Sequence, residues 1–533
     1  MRKKDFRQPP AVCSLAYFWG INDREDVGAA LRQLRDMAAR GVKAVCLHPL
    51  PAEFRPRSFG SRPELPYLSP EYFRFIRRVV AACRRLGMHY WLYDEGGWPS
   101  GSACGQVVAS DPERFQLQQV VATPSGPAVA SIPQGGAGAA PPYPNLLAPG
   151  AAEAFLRLTH DRYAQAVGGH FGQTIHYVFQ DEAVLGRGLW AWTADFGAVF
   201  KRRQGYRLEP FLAALLQGER DDEPAAVTKA RVDYREVRSQ LFVERFLLPI
   251  RAWCRAHGLL SGGHFGGEDE PRGNADYGYG HILRSLRALD LPGVDVIWRQ
   301  LFPGADNRVF PKYASSVARQ SGRQLALTES AAVYGDGLTP AQLCWLLEYQ
   351  LVRGINTVVL SGMAFSHADH LFLVGTRPHF GPVNPLWKYS RLWHDRFGRL
   401  CYLLRQGRAA VTTAVYYDVR SIWAGGKARA RAIQQHEAVS AALLQRQCDF
   451  DFVDDDALAG ARIVGGALVV GKMRYEAVVL PTSDWLADRA RAMLSAFAAV
   501  GGKVVDGGGL DAIRAVVELS PACASVRDRK SVV

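Results

Sequence analysis

One pattern recurs through roughly the first three quarters of the chain and limits the fold more than any other feature: a short β-type run, an amphipathic helical stretch, a glycine, and the next β-type run. The helix stops read ArgGlyVal at 40–42, LeuGlyMet at 86–88, HisGlyLeu at 257–259 and ArgGlyIle at 353–355. Glycine ends helices because it enters the left-handed conformation without a Cβ clash, so each stop marks a helix feeding a strand. Eight such units can be drawn, with strands at Val12–Tyr17, Ala44–His48, His89–Tyr93, Ile175–Gln180, Leu259–His264, Val294–Ile297, Gln324–Thr328 and Thr357–Leu360. Between them lie helices at Asp26–Arg40, Pro70–Leu86, Ala152–Val167, Val227–His257, Pro340–Arg353 and Pro385–Leu404. Strands alternating with helices of this size build parallel βαβ units, and eight units under one grammar favour closure into a (β/α)8 TIM barrel over residues 1–408. No glycine-rich phosphate fingerprint opens a helix after the first strand, which argues against a dinucleotide fold.

The segment Thr123–Gly150, rich in Pro, Gly and Ala, reads as a loop inserted in the barrel. After Gly407 the grammar restarts: strands at Val411–Tyr417, Phe450–Val453, Leu468–Val470, Ala477–Leu480 and Lys503–Asp506, helices at Arg429–Gln445 and Leu486–Val500. This predicts a smaller α/β domain with a parallel sheet over 409–533, whose last twenty or so residues carry only a weak pattern.

The formal charge of +13 comes largely from arginines scattered singly over helical faces, with no dense basic run and no interleaved aromatics. Nucleic-acid binding is therefore not expected, although a positive field would suit an acidic sugar. Nine cysteines, odd in number and without a CxxC, fall mostly in apolar runs and read as reduced core thiols. The charged N-terminus and the short apolar run Ala11–Trp19 do not form a secretory signal, and no run is long enough to cross a bilayer, so a cytoplasmic location is expected, without a membrane partner.

In a barrel of this kind chemistry sits at the C-terminal ends of the strands. The residues there are acidic: Asp94 and Glu95 with Trp98 after the third strand, Asp181 and Glu182 after the fourth, His264 and Glu268 after the fifth, Asp295 on the sixth, Glu329 on the seventh. His48 ends the second strand and His367 follows the eighth. Converging carboxylates, without a Cys/His metal cluster or Ser–His grammar, fit glycoside hydrolysis, which needs one protonated acid and one ionised partner. In many barrel glycosidases these follow strands 4 and 7, which makes Glu182 and Glu329 the catalytic candidates. Trp98, Trp190, Trp192 and Trp298 are candidates to stack on sugar rings. Each has a plainer role open to it. Glu182 can cap a helix or pair with an arginine; Asp94 and Glu95 can hold the bent WPSG turn instead of binding substrate or a cation; His264 and His367 can orient neighbours; Asp295 can be structural.

The run TrpLeuTyrAspGluGlyGlyTrpProSerGly (91–101), AsnLeuLeu (145–147), PheGlyGlnThrIle leading to ValPheGlnAspGlu (171–182), GlyHis with Glu268, and the Gly354–Asn356 turn followed by SerHis resembles the α-L-rhamnosidase family, glycoside hydrolase family 106. The resemblance spans the barrel in order. It implies removal of terminal α-L-rhamnose with inversion and Ca2+ near the site; from their places at or after the strand ends, His48, Asp94, Glu95, Trp98, Asp181, His264, Glu268, Trp298 and His367 are the expected substrate contacts, and no organic cofactor is expected. The second domain resembles the flavodoxin-like domain that follows the barrel in β-galactosidases, and a homo-oligomer through that domain is an expected partner besides carbohydrate. Two positions depart from the family pattern: Ala183 where proline usually follows the AspGlu pair, and TyrPheTrpGlyIleAsn (17–22) at the end of the first strand. The competing readings are another barrel glycosidase, acting on a β-galactoside or a uronic-acid oligosaccharide, and a non-catalytic sugar-binding relative. An aldolase or isomerase is disfavoured by the lack of a strand-end lysine or a phosphate loop.

Overall fold

The computed structural model describes residues 3–132, 140–185, 190–220, 222–276, 279–304, 308–368 and 379–506. Eight parallel strands close into a barrel in sequential order: β1 (Ala16–Ile21), β2 (Ala44–Pro49), β3 (His89–Tyr93), β4 (Ile175–Asp181), β5 (Leu260–His264), β6 (Leu291–Val296), β7 (Leu327–Ser330) and β8 (Thr357–Ala364). Alternate residues of these strands point inward and fill the barrel with bulky side chains, among them Phe18, Trp91, Tyr93, Tyr177, Phe179, Leu291 and Leu327. The interior is therefore a packed core and not a pore.

Helices wrap the outside where predicted, and their ends are chemically marked. Ser69 accepts from the Tyr72 amide at 3.1 Å, Thr339 and Gln342 form a capping box, and Gly41, Gly87, Gly258 and Gly354 all have positive φ. Two predicted helices are interrupted. Ala152–Val167 is broken at Thr159, and Val227–His257 passes through a π-helical turn at Val243–Leu247, just before Pro249. The first strand begins four residues later than predicted, because Ala11–Cys13 after the two prolines form a 3-10 turn.

Strand register positions the site. Asp181 lies level with His264 across β4 and β5, and Asp295 level with Glu329 across β6 and β7. Gly263, at φ 144°, allows the close approach of β4: a Cβ there would lie 1.9 Å from the carbonyl oxygen of Gln180.

The inserted segment is more ordered at its start than its composition suggested. Gln118–Thr123 and Gly126–Ser131 form an antiparallel hairpin, joined by Ala191–Trp192 into a three-stranded sheet; residues 133–139 of the insertion lie outside the described residues. Beyond the barrel, β9 (Thr413–Tyr416), β10 (Asp451–Val453), β11 (Ala477–Leu480) and β12 (Lys503–Asp506) make a parallel sheet of order β10-β9-β11-β12, the flavodoxin-like arrangement. The expected strand at Leu468–Val470 belongs elsewhere, to a small antiparallel sheet with Arg462–Val464 and Met473–Tyr475. The weakly patterned end of the chain, from residue 507 on, lies outside the described residues. The eight described cysteines are free thiols, six of them buried.

The two units share an apolar core. One buried cluster runs from barrel residues such as Tyr313 to Tyr417, Trp423, Val439, Phe450 and Phe452. Tyr313 Oη and His436 Nε2 share a 2.9 Å hydrogen bond, and Arg319 donates to Asp451 at 2.9 Å. No helix of the described residues is long and apolar enough to cross a membrane.

Candidate active site

The C-terminal rim of the barrel gathers carboxylates around one histidine. Burial would drive the proton off His264, but Asp295, Glu329 and Asp181 together hold its pKa well above the usual imidazole value, so the ring is an imidazolium. Its Nε2 lies 2.9 Å from Glu329 Oε2 and 3.4 Å from Asp181 Oδ1. The other oxygen of Asp181 accepts from Tyr93 Oη at 2.6 Å, and its backbone N–H donates to Ser100 Oγ at 2.8 Å. Four residues, Tyr93, Asp181, His264 and Glu329, are thus locked together from β3, β4, β5 and β7.

Glu182 follows directly, half-buried, with a left-handed backbone (φ 49°), its N–H donating to the His264 carbonyl at 3.2 Å. Its carboxyl rests against Gly266, where a Cβ would come within 3.0 Å of Oε1. Burial first, then the charges of Asp181, Glu268 and Glu329, push its pKa up to about 8 against the pull of His264. It therefore carries a proton at neutral pH. Glu268 is fully buried, accepts from the Phe265 and Gly266 amides through Oε1 (2.7 and 3.0 Å), and has its pKa raised by burial. Asp295 is likewise buried and raised well above the carboxylate range, by desolvation and then by Glu329, Glu182 and Glu268. The sequence reading gave Asp295 a structural role. Its placement level with Glu329 makes it part of the charge cluster instead.

Glu95 and Asp94 are both buried. Glu95 turns into its own loop, where its two oxygens accept from the amides of Gly96, Gly101, Ser102, Ala103 and Cys104 at 2.6–3.1 Å. Asp94 is fully buried, accepting from Ser100 Oγ at 2.6 Å with His160 Nε2 at 3.9 Å. Of the two roles open to this pair, holding the WPSG turn is the one with hydrogen bonds behind it. That turn in turn supplies Ser100 to Asp181 and Trp98 to the rim.

His48 stacks on Tyr93 with ring centroids 4.2 Å apart and packs against Trp98 at 5.4 Å, which puts it on the wall of the cleft. His367 is half-buried beside His379, 5.3 Å away, and the charges that act on it are those of His379 and Asp336. Trp298 stands exposed after β6. Trp190 and Trp192 belong to the hairpin sheet: Trp192 is in its third strand and packs on Phe196 at 4.8 Å, and Trp190, whose carbonyl accepts from the Val120 amide, packs on Tyr234 at 4.6 Å.

Sequence reasoning missed Arg55. This half-buried residue, with left-handed φ 46°, sits in a cage of Phe54, Phe59 and Trp98, its guanidinium 5.0 Å from the rings of Phe54 and Trp98. Burial lowers its pKa against the attraction of Glu182 and Asp181, so its charge faces the acids. Arg55 lies six residues past the end of β2, and a single arginine in that loop carries no sequence signal that it will meet acids from β4.

Comparison with known proteins agrees with this geometry. A family model described as alpha-L-rhamnosidase, of glycoside hydrolase family 106, matches residues 147–510. Among solved structures, a rhamnosidase from Novosphingobium sp. PP1Y is similar over 98% of this chain and 71% of its own, with a TM-score of 0.69 at 13% identity. A catalytic mutant of a GH42 β-galactosidase from G. stearothermophilus is similar over 94% of this chain and 72% of its own, with a TM-score of 0.62 at 14% identity. A β-galactosidase from Rahnella sp. R3 matches over 94% and 71%, with a TM-score of 0.59 at 13% identity. At these identities the structural likeness speaks for the fold. No curated protein matches the chain by sequence.

Proposed function

Because the chain belongs to the α-L-rhamnosidase family, glycoside hydrolase family 106, and is a glycoside hydrolase, we propose that it removes terminal α-L-rhamnose with inversion, with Glu182 as general acid and Glu329 as general base. The observation that carries this reading is the setting of Glu182: it directly follows β4, tied to His264 through its N–H, where burial and the charges of Asp181, Glu268 and Glu329 push its pKa up to about 8 and so favour its protonated form. A general acid needs that proton to give to the leaving oxygen, and its charged neighbours keep the group ready to take it back. Glu329 accepts from the His264 imidazolium through Oε2, which orients the carboxylate and leaves Oε1 to polarise water. His48, Trp98, Asp181, His264, Glu268, Trp298 and His367 complete the proposed substrate contacts.

The family reading includes calcium, which takes oxygen ligands, so Asp181 and Glu329 are the residues that would hold it. As an imidazolium His264 offers no lone pair and already supplies positive charge between the two carboxylates, so the ion would bind there only with that proton displaced; bound, it would supply positive charge toward sugar hydroxyls. The same reading places the boundary between the two domains at 408 and 409, a homo-oligomer through the second domain, and the protein in the cytoplasm. The test is the product anomer: 1H NMR of the first turnovers of an aryl α-L-rhamnoside should show β-L-rhamnose first. Initial α-anomer would overturn inversion, and turnover of β-galactosides alone would overturn the sugar.

A further inference from the structure

Trp298 is the most exposed large aromatic side chain of the described residues, at 64%. It lies two residues past the end of β6, and its N–H donates to the Ala332 carbonyl at 3.1 Å, three residues past Glu329. A singly exposed aromatic is ordinary. The backbone beneath this one is not.

Trp298 and Arg299 are consecutive left-handed residues (φ 52° and 57°), and across from them Ala331 (75°) and Val333 (58°) are left-handed too. None is glycine, and a β-branched valine is especially disfavoured there. The strain is held by a lattice of bonds between the two loops. Arg299 Nε and Nη2 donate to the Tyr334 carbonyl at 3.3 and 3.2 Å, Tyr334 Oη donates to the Leu301 carbonyl at 2.8 Å, and the Ala331 N–H donates to Val296 at 3.0 Å. A loop free to relax would turn the indole onto the protein surface. This one is braced, with the indole exposed and its backbone N–H bonded to the loop that follows Glu329. Backbone strain kept in place by its surroundings collects at functional sites, and a rigid aromatic loses little conformational freedom when a ligand covers it.

The position selects the ligand. The reacting carboxylates, Glu329 buried and Glu182 half-buried, stand at the strand ends, so the terminal sugar sits inward of the rim and the leaving group departs past it. We propose that Trp298 is a specificity-determining residue that stacks a ring-shaped leaving group, so that the enzyme favours bonds whose aglycone presents a flat apolar face over bonds to open-chain alcohols. This rests on the reading of the mouth as a rhamnosidase site. An indole packs on such faces through dispersion and its electron-rich surface, without any charge on the partner.

The test compares cyclohexyl and isopropyl α-L-rhamnosides, both secondary alcohols of similar leaving ability, so that the ring is the difference. The wild-type ratio of kcat/KM should favour the cyclohexyl glycoside by about five- to tenfold, the range of one aromatic stacking contact. Trp298→Ala should bring the ratio to about one and Trp298→Phe should keep most of it, with both variants matching the wild-type melting temperature. A ratio unchanged in Trp298→Ala, or a wild-type ratio near one, overturns the proposal. Turnover of neither glycoside by the wild type overturns the rhamnoside reading instead, and a second arm then decides the platform. The difference in indole emission between wild type and Trp298→Phe is followed during titration with cellobiose, whose rings present flat C–H faces. A saturating change supports the platform and a flat response overturns it.

Discussion

Two buried charge clusters, one at the barrel mouth and one at the seam with the second unit, use the same residue types to opposite ends. At the seam, Arg284 donates to Glu236 at 2.6 Å and to Asp456 at 2.8 Å, Arg287 reaches Asp454 and Asp456, and His281 lies 3.2 Å from Asp454. Burial and Arg284 drive the His281 pKa down to about 3, and Asp456 is held far below its usual range as its arginines and His281 outweigh burial. His281, Asp454 and Asp456 have the spacing of a cation site, but two guanidinium groups already supply the positive charge. At the mouth, Asp181, Glu182, Glu268, Asp295 and Glu329 surround one imidazolium, with Arg55 at the rim. A matched cluster fastens two parts of a protein. A surplus of one sign keeps protons where they would not otherwise stay, and that is a chemical capability.

The comparison breaks most visibly in catalysis. Glu182→Gln should cut turnover of a rhamnoside with a poor leaving group by about 10²–10⁴-fold while sparing activated aryl rhamnosides, because a good leaving group needs little protonation. Glu329→Gln should abolish both, read as kcat/KM on the two substrate types. Equal losses on the two substrates in Glu182→Gln would move the acid to Glu268.

The seam should answer in stability and not in chemistry. Arg284→Ala removes the cation that Glu236 and Asp456 share but leaves Arg420 to the one and Arg287 to the other, so the loss should fall below the about 3–5 kcal/mol of a buried pair broken from one side. Urea denaturation should show this, with kcat per folded molecule unchanged. A smaller loss is expected from Glu95→Gln, which keeps one acceptor for the five amides but turns the other oxygen into a donor; an unsatisfied buried amide costs about 1–3 kcal/mol. Its thermal midpoint should drop while the substrate preference stays that of the wild type.

The smallest effects are in pH dependence, and they bear on the mouth alone. Glu182 binds its proton more tightly folded than unfolded, so its contribution to stability is present below the unfolded pKa near 4.5 and fades as pH rises through about 8. Glu182→Gln should remove that slope, with its thermal midpoint gaining on the wild type between these limits. Asp181→Asn removes the largest of the negative neighbours that hold the proton on Glu182, so the alkaline limb of kcat/KM should move to lower pH. A limb that stays put would mean that Glu182 is not the group observed.

Much of this was legible in the sequence because the barrel grammar repeats. The strands at His89–Tyr93, Ala477–Leu480 and Lys503–Asp506 fall where the apolar runs put them, and strand-end acids must share a rim once the sheet closes. What was not legible depends on contacts distant in the chain. The hairpin at 118–131 pairs weakly apolar residues whose partner strand lies beyond residue 190. Arg55 gains its meaning from the aromatic cage and from acids far along the chain, and the oxygens of Glu95 are taken up by five amides that only the folded turn aligns. Pattern finds where a carboxylate stands. It does not tell whether its oxygens are already occupied.

The shared core between the units has a consequence for synthesis. Tyr313, on the helix after β6, packs against Phe452 at 4.9 Å and bonds to His436, and Ser316 accepts the Phe452 amide at 2.9 Å. A nascent chain that had completed all eight barrel strands would still present this aromatic face to water until residues 436–452 left the ribosome. At about 5–20 residues per second that interval lasts several seconds or more, long enough for an exposed apolar surface to find a chaperone or a neighbouring nascent chain.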